Sequence, residues 1–210
     1  MLRPSKHATR SAYTFGVAGL LAGIIWISAP DEWGPPWIWT LGLLFSATTL
    51  LAASLESLRL PPQKIEPGDA IRAALILSAA WPIALLAFGA ALTMMAKLDP
   101  SVSLTTSALA MFVGVLAASS CVWLALRALT KIWSLTILCY LFCSGAILVV
   151  LSAIVNATLS AHQFNAVAAL PPPRLLLSLL VVPGSALYAY LFGLGFLRAR
   201  NVRGAWPAGG

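Results

Sequence analysis

The 210 residues are 60% hydrophobic, with a mean hydropathy of +0.91 and only 9% charged, an apolar share well above that of soluble domains. Such a chain reads as one all-α integral membrane domain over residues 1–210, with no room for a second, soluble one. The net charge of +7 does not point to nucleic acid, because the basic residues lie in short segments beside apolar runs, where they report orientation in a bilayer.

A helix needs about 20 apolar residues to cross the hydrocarbon core, and six stretches qualify: Ser11 to Ala29, Trp37 to Leu55, Ala73 to Ala96, Ser101 to Leu126, Ile132 to Leu159 and Leu175 to Leu197. The first has a basic start like a secretory signal. Its apolar region is longer than the usual ~7–15 residues and a proline follows its only small-residue site, so it reads as a retained anchor. Within it Gly19 and Gly23 form a GxxxG, a spacing that lets another helix approach closely. Trp33, Trp37 and Trp39 open the second span, where indole rings favour the headgroup level.

Orientation follows from lysine and arginine. With the N-terminus in the cytoplasm, eleven of the 13 basic residues fall inside (Arg3, Lys6, Arg10, Arg59, Lys64, Arg72, Arg127, Lys131, Arg198, Arg200 and Arg203), and only Lys97 and Arg174 fall outside. The expectation is a multi-pass protein of the cell membrane, in a bacterium the inner membrane, with six transmembrane helices and both termini cytoplasmic.

Between the second and third spans runs LESLRLPPQKIEPGDAIR, the most charged part of the chain. Glu56, Arg59, Lys64, Glu66, Asp69 and Arg72 cannot lie in hydrocarbon, so this segment is expected to be a cytoplasmic loop. Pro61, Pro62, Pro67 and Gly68 are expected to break helix on both sides of it. Glu56, three residues before Arg59, reads as one half of an interfacial ion pair, and Asp69 as an N-terminal cap of the third span.

Few residues carry obvious chemistry. The two histidines, His7 and His162, lie in polar margins and form no intramembrane pair for a b-type haem. No span has a carboxylate, lysine or arginine near its centre, which disfavours a proton relay. No P-loop motif occurs, so ATP-driven work needs a separate chain. Cys139 and Cys143 share a face of the fifth span, but two thiols without a third ligand read as core packing. Neither a cofactor, a metal site nor an enzymatic activity is expected. Pro82 and Pro183 interrupt the third and sixth spans, each about a third of the way along; paired interruptions of this kind can mark a transport path, and also occur as plain kinks.

From about Pro36 to Ile154 the chain resembles the permease subunits of type-two ABC exporters, most of all the B-subunit family of the haem exporter of cytochrome c maturation. WIWTLGLLFSATTLLAASLESL is similar to that family's second span and charged inner loop, IRAALILSAAWPIALLAFGAAL to its third span, and ALRALTKIWSLTIL to its basic inner turn. The resemblance implies an ATP-driven exporter of haem or another amphipathic cargo, in a homo- or hetero-oligomer with a separate ATP-binding subunit. That subunit would dock on Glu56 to Arg72 and on the Arg127 to Lys131 turn. The alternative is a non-catalytic membrane anchor or assembly subunit of a larger complex. A small lipid-modifying enzyme is disfavoured by the lack of an acidic metal-binding cluster.

The topology has a direct test. An epitope on either terminus is expected to stay unlabelled by an impermeant reagent in intact cells and to become labelled on permeabilisation.

Overall fold

The computed structural model describes residues 6–28, 37–59, 65–98, 104–132, 134–163 and 173–204. Their secondary structure is six helices: α1 (Lys6–Ile27), α2 (Trp37–Arg59), α3 (Pro67–Leu98), α4 (Leu104–Thr130), α5 (Leu135–Gln163) and α6 (Pro173–Gly204), with no strand among the described residues. Four contain a stretch long and apolar enough to cross a membrane: Thr40–Leu58, Pro67–Lys97, Ala108–Thr130 and Val181–Ala199. The apolar stretches of α1 and α5 are shorter among the described residues, Ser11–Ile27 and Leu135–Leu151. Leu58, Leu86, Met94 and Leu135 turn outward, the arrangement favoured where the solvent is hydrocarbon and only backbone polarity must be hidden.

Several helices are longer than the apolar runs that announce them, because charged ends continue the backbone hydrogen bonding beyond the core. Pro67 and Gly68 do not break helix as the sequence suggested; they are the first residues of α3. Proline suits that place because its missing N–H would be unpaired in a first turn in any case. The Glu66 carbonyl accepts from the amides of both Asp69 and Ala70 at 3.0 Å, so Glu66 occupies the capping position and Asp69 stands within the first turn. Pro82 and Pro183 likewise leave α3 and α6 continuous. Pro82 is buried and Pro183 exposed.

α6 is the hub: it touches α1, α2, α4 and α5, while α3 packs mainly on α2 and α4. More than half of the α6 span, 56%, is buried, against 17% of the α3 span. α1 and α6 run antiparallel, with Tyr13 beside Tyr190 and the Phe15 ring tilted against those of Phe192 at 6.2 Å and Phe196 at 6.0 Å. α4 and α6 run parallel, since Ser119 meets Tyr188 and Leu126 meets Gly195. The starts of α1, α3 and α5 thus share one end of the bundle with the ends of α2, α4 and α6. The core is centred on Phe15, Phe45, Leu77, Leu141, Phe192 and Phe196, all almost wholly buried.

Small residues set the distances between helices. Gly19 lies against the Ser185 carbonyl and the Ala189 methyl, and Gly23 against Val182, so the GxxxG of α1 is the face that seats on α6. Gly42 of α2 lies on the carbonyl of Ser78 in α3. That carbonyl is the one whose usual partner, the amide four residues on, is missing at Pro82. The close approach at Gly42 therefore covers a backbone group that proline has released, in a place where Cα–H to carbonyl contacts add a little. Beside it, the hydroxyls of Ser46 and Ser78 both donate to the Ala74 carbonyl, at 3.0 and 2.6 Å. Cys139 and Cys143, expected to pack in the core, are exposed on the outer face of α5.

A methyl at Gly19 would collide with the Ser185 carbonyl and lie 2.6 Å from the Ala189 Cβ, whereas one at Gly16 would meet Tyr190 at an ordinary 3.5 Å. Gly19→Ala is therefore expected to cost about 1–3 kcal/mol, read as a lower melting temperature of the purified protein in mild detergent, while Gly16→Ala stays close to wild type.

Candidate functional site

Two polar regions stand out from the apolar bundle. The first is internal. Ser119 of α4 and Tyr188 of α6 are hydrogen bonded at 3.0 Å, and Gly145 of α5 lies against the Tyr188 hydroxyl with no room for a side chain. Ser185 donates back to the Val181 carbonyl at 2.7 Å, and Thr49 Oγ1 is buried without a hydrogen-bond partner among the described residues. Trp81, next to Pro82, packs edge-on against Phe45 at 6.4 Å and comes within 4.0 Å of where a Gly184 side chain would begin. The segments holding the two helix prolines thus meet near the middle of the bundle.

The second region is the charged end, where the residues singled out in the sequence divide. Glu56 is 1% exposed and accepts a hydrogen bond from Thr14 Oγ1 of α1 at 3.3 Å. It belongs to the α1–α2 packing and does not lie on the docking surface proposed from the sequence. The reason is its register: one turn beyond Ala52 and Ala53, on the same buried stripe of α2, it faces α1. Arg59 is the last residue of α2, and Lys64 lies outside the described residues. Arg72, in the second turn of α3, is exposed.

Glu66 and Asp69 are drawn to one cation. Lys131 Nζ lies 3.1 Å from Asp69 Oδ2 and 3.5 Å from Glu66 Oε2, so the entry to α3 is tied to the turn between α4 and α5. Asp69, assigned from sequence as a helix cap, directs its carboxylate to this pair instead. Lys131 has a φ of 54°, the one non-glycine residue with positive φ among those described, and its amide donates to the Arg127 carbonyl at 2.7 Å. That is the left-handed helix-ending position where glycine is usual. A lysine there carries backbone strain and puts an ammonium where glycine has nothing.

The hydrogen bond to Asp69, then the charges of Asp69 and Glu66, raise the Lys131 pKa above its ordinary 10.5. A group whose pKa is raised by folding stabilises the fold fully below its unfolded pKa and loses that contribution as pH climbs through the folded value. The lysine's contribution to the clamp is thus intact at neutral pH and is lost as pH climbs above 10.5. Exposure of the lysine keeps it sensitive to salt.

From sequence, Lys131 is an inner-side cation and the end of a basic turn expected to dock a partner, with no partner assigned inside the chain. The signal for its partner was the i, i+3 spacing of Glu66 and Asp69, which places two acids around one helix start. Tyr188 and Ser119 were also missed, being polar groups inside apolar runs with nothing local to link them. Among the described residues no group of three His, Cys, Asp or Glu side chains comes together as metal ligands would. No known protein family, curated protein or solved structure matches the chain.

Strain and ion pairing at Lys131 can be separated. Lys131→Ala removes the pair and keeps the left-handed strain, whereas Lys131→Gly removes both. The glycine variant is expected to be the more stable of the two by roughly 1 kcal/mol, measured by thermal unfolding at low salt. The gap between wild type and Lys131→Gly should change with salt, and the gap between the two variants should not.

Proposed function

We propose that this chain is a membrane-spanning permease subunit of an ATP-driven exporter, with six helices crossing the cell membrane, both termini in the cytoplasm, and the ATPase supplied by a separate chain. The single observation that carries the reading is the clamp at the charged end. An ATP-binding subunit pressing on the α2–α3 segment would act through Asp69, Glu66 and Lys131 on the α4–α5 turn, and so on α4, which packs on the central helix α6. The work is mechanical, with no bond made or broken by this chain. Arg72, exposed at the same end, suits an acidic docking partner. The orientation rests on charge: Lys6, Arg10, Arg59, Arg72, Arg127, Lys131, Arg198, Arg200 and Arg203 belong to that end of the bundle, and Lys97 and Arg174 to the other. The cargo, haem or another amphipathic molecule, comes from the sequence resemblance alone.

A second reading, a non-catalytic anchor or assembly subunit, is favoured by α3. Its span is only 17% buried, with Ile71, Leu75, Leu86 and Met94 turned outward, a surface that another membrane subunit could cover as readily as lipid.

Purification in mild detergent separates the two. The permease reading expects a P-loop ATPase to co-elute and to be lost from the Arg59→Gln, Lys64→Gln, Arg72→Gln triple variant. Co-elution of other integral membrane subunits without an ATPase would establish the anchor instead.

A further inference from the structure

At the charged end, beside the turn that carries Lys131, a cavity of ≈ 210 Å³ opens between the last turns of α4, the first turn of α5 and the C-terminal part of α6. A single water needs about 10–15 Å³ of such space, so this one has room for a polyatomic group. Two guanidinium side chains line it, Arg127 of α4 and Arg198 of α6, together with Trp123, Thr130, Ser134 and Gly195. Arg127 is half-buried and Arg198 exposed, which gives the cavity one inner and one outer cation. Among the described residues that line it, none is acidic.

The walls are built to stay open. Trp123 Nε1 donates to the Ser134 carbonyl at 3.0 Å, bracing α4 against the entry of α5. The same Ser134 carbonyl accepts from the Leu138 amide at 3.4 Å, so Ser134 stands at the cap of α5 and the first amides of that helix start here. Such amides carry partial positive charge and attract anions. At the facing end of α4 the Leu126 carbonyl takes the Thr130 hydroxyl at 2.8 Å and the Arg127 carbonyl takes the Lys131 amide. Gly195 forms the floor; a side chain there would strike Leu126 and crowd Ile137. The remaining wall is apolar, from Leu126, Ile132 and Ile137, and next to it Leu135 is 69% exposed.

We infer that this cavity binds a phosphate group, held between Arg127 and Arg198 at the N-terminus of α5. Guanidinium forks match phosphate oxygens in geometry as well as charge, and each has five N–H donors, enough to serve a protein partner and a ligand together. An anionic phospholipid is the source the surroundings favour. The cavity lies at the basic end of the bundle, where a headgroup phosphate would sit if the helices cross a bilayer, and its apolar wall offers an acyl chain a path outward. The lipid source rests on the membrane reading; the phosphate site does not rest on the exporter reading.

The test uses the full chain in zwitterionic detergent, titrated separately with phosphatidylglycerol, phosphatidylcholine and inorganic phosphate, with thermal unfolding as the readout. Phosphatidylglycerol is expected to raise the melting temperature where phosphatidylcholine does not. Arg198→Gln, at an exposed position that should leave folding intact, is expected to weaken the response about fivefold, and Arg127→Gln with Arg198→Gln to abolish it. Lys97→Gln, at the opposite end, should leave it unchanged. A shift by inorganic phosphate that also depends on Arg198 supports the site and assigns it to a soluble phosphate compound. The proposal is overturned if both lipids act alike, or if Arg198→Gln responds to phosphatidylglycerol and phosphate as wild type does.

Discussion

The close seating of the first helix on the last holds the bundle together. Gly19 and Gly23 bring the α1 backbone onto Ser185 and Val182, which lets Phe15 reach Phe192 and Phe196 and close the core around α6. In hydrocarbon there is no hydrophobic gain from hiding one apolar face against another, so association depends on how closely backbones and side chains fit. Glycine at the crossing supplies that fit. The bulky residues of these helices then divide into those that fill the core and those, such as Val17 and Leu21, that face outward.

The same constraint explains how polarity is handled. Inside, most hydroxyls spend their hydrogen bonds locally, Ser185 on Val181, Ser78 on Ala74 and Thr130 on Leu126, while Ser46 reaches across from α2 to the same Ala74 carbonyl. Ser119 and Tyr188 spend theirs on each other across two helices. Charge is confined to the ends, and at the basic end it is organised in two ways. Acids gather on Lys131, fastening one connection to another, while Arg127 and Arg198 border a cavity between α4, α5 and α6. Glu56 is the exception, a carboxylate taken into the α1–α2 packing and met there by Thr14. Such a buried acid is costly unless hydrogen bonded, which makes the inner end of α2 one of the more specifically assembled parts of the structure.

Hydropathy located all six helices, because a long apolar run has few other fates, and the glycine pair of α1 pointed to a real contact. Helix ends were harder. Lys6 to Arg10, Pro67 to Arg72 and Arg198 to Gly204 are helical although charged or helix-breaking in composition, since a helix that leaves hydrocarbon can continue in polar surroundings. Facing was the least legible. Where nearly every residue is apolar, a weak periodicity does not say which side of α5 holds Cys139 and Cys143, and the structure turns them outward. The charged end could be listed from sequence but not assembled. Lys131 finds Asp69 from 62 positions further along the chain, and Arg127 and Arg198 become neighbours only because α4 and α6 run parallel.

The order of synthesis gives the central position of α6 a further meaning. Domains generally begin to fold from the N-terminus as the chain emerges, yet here the helix that four others lean on leaves the ribosome after the other five described helices. Until then α1 has α2 for company but nothing for its glycine face or for Phe15 to enter. The early helices must therefore wait as a loose, incompletely sorted group, and a nascent chain cut short before Val181 would lack its keystone and present its quality-control machinery with five helices and no centre.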